Sequence, residues 1–144
     1  MSKAKQKQRG VTLIELMVVI VIIGLIGGIV AFNVFGQLER ARVQTARTQI
    51  DRLETALQQY RLDNQSYPSQ QQGLFALVEM PNGLRRPERY APGGYIDNLP
   101  RDPWDNPFVY IYPGEFGDFD LISYGADGRP GGEGLDADIG SWQD

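Results

Sequence analysis

The segment Gly10-Val11-Thr12-Leu13-Ile14-Glu15 decides how this chain is read. Glu15 is the only charged side chain between Val11 and Leu38, in a stretch that is otherwise apolar. An ionised carboxylate in hydrocarbon costs roughly 2.5 kcal/mol even on the mildest insertion scales, so it calls for a partner. No Lys or Arg follows it within several helical turns, and the upstream Lys3, Lys5, Lys7 and Arg9 form a basic leader that stays in cytoplasmic water. A cut after Gly10 creates the missing cation: the new α-amino group of Val11 then begins the helix four residues before Glu15.

From Leu16 to Leu38 no residue is charged, and Val18-Val19-Ile20-Val21-Ile22-Ile23 with its flanks is long enough to cross a bilayer as a helix. Gly24 and Gly28 give a G-x-x-x-G spacing, which is common by chance. Beyond Gln37 the pattern turns amphipathic, with Ala46, Ile50, Leu53, Leu57 and Tyr60 at three- and four-residue steps. The helix is expected to stop near Asp63-Asn64, with Asn64 as a left-handed cap and Tyr67-Pro68 unable to continue it. A helix from Thr12 to Leu62 would be about 75 Å long at ~1.5 Å per residue.

The apolar stripe needs a covering. Gln70 to Val78 reads as a polar approach to a short helix that sets Leu74, Leu77 and Val78 on it. Strands are expected at Phe108–Tyr112 and Phe119–Tyr124, rich in aromatic and β-branched residues, forming a hairpin across the helix. A third short strand is expected near Tyr95 to Leu99, and Asp102-Pro103-Trp104-Asp105-Asn106-Pro107 as a rigid turn anchored by Trp104. The fold class is therefore α+β. A leader occupies residues 1–10, a transmembrane and assembly helix 11–37, and a globular domain 38–144 that includes the rest of the helix.

Composition narrows the function. The length suits one small domain plus a membrane segment, and the basic leader orients the N-terminus to the cytoplasm, exporting the rest of the chain. Without the leader's four cations the formal charge falls from −4 to −8, and an acidic domain argues against nucleic acid as a partner. The chain has no Cys and no His, which removes disulfides, thiolate chemistry and the commonest general base. With no hydrolase nucleophile motif either, an enzyme is not expected.

Gly10-Val11-Thr12-Leu13-Ile14-Glu15 resembles the processing site of type IV pilins and pseudopilins, where a membrane aspartyl peptidase cuts after Gly and methylates the new amine. The resemblance implies cleavage between Gly10 and Val11, N-methylation of Val11, and pairing of Glu15 with the terminal amine of a neighbouring subunit, which sets the filament register. Val11 stands where these proteins usually have Phe, and Phe32 where a Pro near the helix exit is usual, which removes the expected kink. Tyr67-Pro68, Gln72-Gly73-Leu74, Asp102-Pro103-Trp104 and Gly125-Ala126-Asp127-Gly128 resemble the G-type major pseudopilins of bacterial type II secretion systems, a match over nearly the whole chain.

Membership would imply a type IV pilin-like fold and a single pass through the inner membrane, with the C-terminal domain in the periplasm. The chain would form a homopolymeric pseudopilus that pushes folded proteins across the outer membrane. Its partners would be minor pseudopilins, the prepilin peptidase and an inner-membrane assembly platform driven by a cytoplasmic ATPase. Two readings compete. A type IV pilus subunit usually carries a larger head closed by a cysteine pair, and a signal-anchored periplasmic calcium-binding module would never polymerise.

From Glu115 onward eight carboxylates face the single Arg129, and several crowd a glycine-rich loop from Gly125 to Asp138. Ca²⁺ would relieve their repulsion, since it takes six to eight oxygens in a flexible arrangement, whereas Mg²⁺ suits an irregular protein cage less well. Asp127, Asp136 and Asp138 are the expected side-chain ligands, with Glu133 in reserve and the order of Asp136 and Asp138 left open. The resemblance adds the carbonyls of Tyr124 and Gly134. Spacing excludes an EF-hand, and Gly131-Gly132-Glu133-Gly134-Leu135-Asp136 is one unrepeated copy of a β-roll nonapeptide. The alternative is a disordered acidic tail, against which Ile139 and Trp142 stand ready to pin the loop to the body.

Overall fold

A computed structural model describes residues 10–143, without the side chains of residues 30–35. The leader cations Lys3, Lys5, Lys7 and Arg9 and the side chain of Phe32 thus lie outside the described residues. The chain divides into two units, one ending at Leu38 and one beginning at Glu39.

The N-terminal unit carries the first part of α1 (Leu13–Asn64). Its apolar side chains from Leu13 to Ile29 are exposed, many by more than half. Among the described residues no helix is long and apolar enough to cross a membrane. The run whose side chains are described, 13–29, is shorter than the ~20 residues a span needs.

In the second unit, Ala46, Ile50, Leu53, Leu57 and Tyr60 are all buried, as their spacing predicts, and Ala56 joins them. The facing layer is built by Leu74, Ala76, Leu77, Tyr90, Phe108, Tyr110, Leu121 and Ile139. The short helix is a 3-10 turn, Leu74–Leu77, entered through Gly73 at φ 58°, a value that suits glycine. Ala76 takes the buried position expected of Val78, which is half-buried. Tyr60 meets Tyr90 and Tyr95 at ring centroid separations of 6.3 and 5.4 Å. Burial first, then the neighbouring Tyr95 and Tyr90, pushes its hydroxyl up to about 12.

Helix α1 ends one residue later than its cap was expected. Gln65, not Asn64, takes the left-handed conformation, with φ 63°, and its N–H donates to Arg61 O at 2.7 Å. Asn64 stays helical because its amide is engaged: Nδ2 donates to Tyr60 O and to the Tyr95 hydroxyl, both at 3.0 Å.

The sheet is β1 (Val109–Ile111), β2 (Asp120–Ser123) and β3 (Ile139–Gly140), antiparallel in that order. Val109 pairs with Ile122 and Ile111 with Asp120, while Ser123 pairs with Ile139. The expected hairpin is therefore present with shorter strands, but the third strand is not at Tyr95–Leu99. There the backbone is claimed locally, since Tyr95 N and Ile96 N both donate to Leu77 O, at 2.7 and 3.2 Å. The C-terminal Ile139 and Gly140 complete the sheet instead.

Two buried carboxylates organise the connections. Asp120, 2% exposed, accepts the N–H groups of Glu115 (2.7 Å) and Phe116 (3.3 Å) and so closes the β1–β2 loop. Asp102, 4% exposed, accepts from Trp104 N (3.0 Å), Asn106 N (2.8 Å) and the Ser123 hydroxyl (2.6 Å). The expected rigid turn is thus built around Asp102, with Trp104 packed against the core.

Candidate functional site: a capped helix start and an acidic glycine loop

Gly10, Val11 and Thr12 precede α1, so the Gly10–Val11 bond lies outside helical hydrogen bonding, and both residues are exposed. That is the condition a protease needs at its scissile bond. Glu15 sits in the first turn. Its Oε2 accepts from Thr12 N at 3.2 Å and from the Thr12 hydroxyl at 3.3 Å, and Glu15 N donates back to Thr12 Oγ1 at 3.3 Å. This reciprocal pair is a capping box, which satisfies N–H groups that every helix leaves orphaned at its start.

Thr12 thereby joins Glu15 at the candidate site, beyond the residues expected there, although its signal, T-x-x-E, stands in the sequence. Among the described residues Glu15 Oε1 has no partner. The carboxylate is therefore oriented by one oxygen and open at the other.

The acidic loop folds back on itself. Ala126 N donates to Leu135 O at 3.1 Å, and a Cβ on Gly125 (φ 64°) would lie 2.9 Å from Leu135 O and 3.0 Å from Ala137 O. The backbone just after the half-buried Tyr124 is thereby held against residues 135–137, a closeness that only glycine allows. Gly134 and Asp136 form a 3-10 turn with Leu135. Asp138 Oδ2 accepts from Gly131 N at 2.8 Å, and Asp127 Oδ1 from Arg129 N at 3.0 Å. Asp127 and Asp136 are exposed and Asp138 is half-buried.

Whether a cation suits this loop is tested by its leftover oxygens. Asp138 Oδ1 is buried and has no hydrogen-bond partner. A buried carboxylate oxygen left bare is costly unless a positive charge meets it. Among the described residues, however, no three acids converge as a metal cluster, so a cation held here must draw part of its shell from backbone carbonyls.

Asn106 is a second residue beyond those expected. Its Nδ2 donates to Gly125 O at 2.9 Å, and Gly128 lies so close that a Cβ there would meet the Asn106 amide at 2.9 Å. The Asp102 turn thus supports the acidic loop through Asn106. The segment after the loop is fastened too. Trp142 stacks on Phe116 at 4.2 Å, Arg47 donates to Gln143 O at 2.9 Å, and Gln143 Nε2 donates to Asp138 O at 3.3 Å.

Comparison with known proteins finds matches along nearly the whole chain. Residues 33–142 match the family model described as type II secretion system protein G, and residues 5–31 match the prokaryotic N-terminal methylation motif. The chain is 48% identical to the type II secretion system core protein G of Pseudomonas aeruginosa, over 96% of this chain and 97% of the relative. It is 49% identical to that of Vibrio cholerae, over 97% and 95%. A crystal structure of the major pseudopilin from the type 2 secretion system of enterohaemorrhagic Escherichia coli aligns with TM-score 0.66 and 42% identity, covering 76% of this chain and 94% of that one.

Proposed function

Since this chain belongs to the type II secretion system protein G family and is a pseudopilin, we propose that it is made as a single-pass inner-membrane precursor and assembled into a periplasmic filament. In this reading the prepilin peptidase cuts after Gly10 and methylates Val11. An assembly platform then adds each subunit to a growing homopolymer tipped by minor pseudopilins, and the addition pushes folded proteins outward. The chain acts as a structural subunit and carries out no covalent step itself.

The observation that carries this reading is the half-satisfied Glu15. Thr12 holds Oε2 and leaves Oε1 open to the cation that a freed Val11 amine on an adjoining copy would supply. The exposed apolar side chains from Leu13 to Ile29 also need a cover, which lipid provides before assembly and other copies afterwards. Mass spectrometry of the purified protein tests the reading. The expected first residue is a methylated Val11, and a Gly10→Asp chain should begin at Met1; an unprocessed wild-type chain beginning at Met1 would overturn it.

We also propose a structural Ca²⁺ in the acidic loop. Asp138 offers its bare buried oxygen, with Asp127, Asp136 and the carbonyls of Tyr124 and Gly134 as further ligands. The ion would supply positive charge that offsets the loop's carboxylates and ties Asp138 to the rest of the turn. Ca²⁺ is expected to raise the melting temperature of the 39–144 unit and EGTA to lower it by several degrees, with Asp138→Ala mimicking the chelated state; a Tm indifferent to both reagents would remove the ion.

A further inference from the structure

Several arginines of the second unit have partners on their own chain. Arg42 pairs with Glu39 and Arg61 with Asp118, both at 2.9 Å, Arg101 pairs with Asp105 at 3.7 Å, and Arg47 is held by Gln143 O. Among the described residues Arg40, Arg52 and Arg129 have no such pair, and neither do Arg85, Arg86 and Arg89. The last three crowd one exposed loop and its 3-10 turn, and none pairs even with Glu88 beside them.

Arg85 and Arg86 line a cavity of about 470 Å³ with Asn64, Gln65, Ser66 and Gln72. No acid lines it. The two guanidinium groups call for an anion there. A carboxylate side chain provides one.

We infer that this cavity receives the glycine-flanked Glu133 of a second copy of the chain, an inference that rests on the filament reading above. Glu133 is exposed, its carboxylate has no partner among the described residues, and a Cβ on the nearby Gly131 or Gly134 would meet only open space. A basic cavity and an acidic tip at different places on one chain make a head-to-tail contact, which repeats from copy to copy without closing on itself. In a filament the neighbouring copy is presented at a high effective concentration, so even an exposed ion pair of modest strength is populated.

The chain has no cysteine, so introduced cysteines report contacts without background. In the full-length membrane protein, Ser66→Cys copies co-produced with Leu135→Cys copies should give disulfide dimers. Arg85→Glu with Arg86→Glu should lower the yield about fivefold, the scale of one exposed pair, as should Glu133→Arg alone. Combining the two reversals across copies should restore it. Ladders formed through Leu16→Cys monitor the filament independently of the cavity. If they persist while the 66–135 dimer is missing, or while its yield ignores the charge reversals, the cavity contact is wrong and the filament stands. If wild-type copies give no Leu16→Cys ladder, both fall together.

Discussion

A Glu15→Gln chain should reach the membrane and lose its leader, yet give no oligomer ladder through Leu16→Cys. Glutamine is the informative substitution because Glu15 does two things. It caps its own helix by accepting from Thr12, and it presents a negative charge with Oε1 open. A glutamine amide oxygen still accepts the Thr12 N–H, as capping boxes with Gln do, so the helix start survives. What disappears is the charge. Pairing with a neighbour's amine would then fail as fully as in Glu15→Ala, where the lost cap adds about 1 kcal/mol of local destabilisation. If Glu15→Gln assembles like the wild type while Glu15→Ala does not, the role of Glu15 is capping, and the charge-pair account of register is wrong.

The second large effect is expected at Asp120. Its carboxylate is 2% exposed and is the acceptor for Glu115 N and Phe116 N, so Asp120→Ala strands two loop donors beside the core. Losing a charged acceptor that serves two part-buried donors costs about 3 kcal/mol. For a unit of roughly 100 residues that lowers Tm by about 10–20 °C. Asp118→Ala, two residues away, is the contrast. The Arg61–Asp118 pair is short at 2.9 Å, but its side chains are 53% and 63% exposed, and such a pair contributes less than about 1 kcal/mol. Thermal melts of the two variants decide whether burial governs this loop: equal shifts would show that it does not.

The proposed filament register and the stability of the head would thus rest on different parts of one chain. The apolar stripe from Ala46 to Tyr60 was legible in the sequence because helical spacing alone puts those side chains on one face, and burial followed. The strand pair was legible for a similar local reason, through runs of β-branched and aromatic residues on either side of a Pro-Gly turn. The third strand was not. Ile139 and Gly140 are too few to register as a strand, and they become one only because β2 offers an edge that the returning C-terminal chain reaches.

The sites divide in the same way. Glu15 stood out because a charge in an apolar run is anomalous wherever it occurs, and T-x-x-E carried its cap in four consecutive letters. The acidic loop showed its carboxylates and glycines but not its supports. Asn106 reaches it from a turn nineteen residues before Gly125, and Asp138 acquires a bare oxygen only through the packing around it. The cavity of Arg85 and Arg86 was invisible for a further reason: in sequence those arginines look like any solvated loop, and their lack of partners emerges only when every nearby carboxylate has been placed. Sequence alone therefore determined the elements and the anomalous charge, because both depend on spacing along the chain. Tertiary structure decided which polar groups are left over, since satisfaction depends on residues brought together from distant positions.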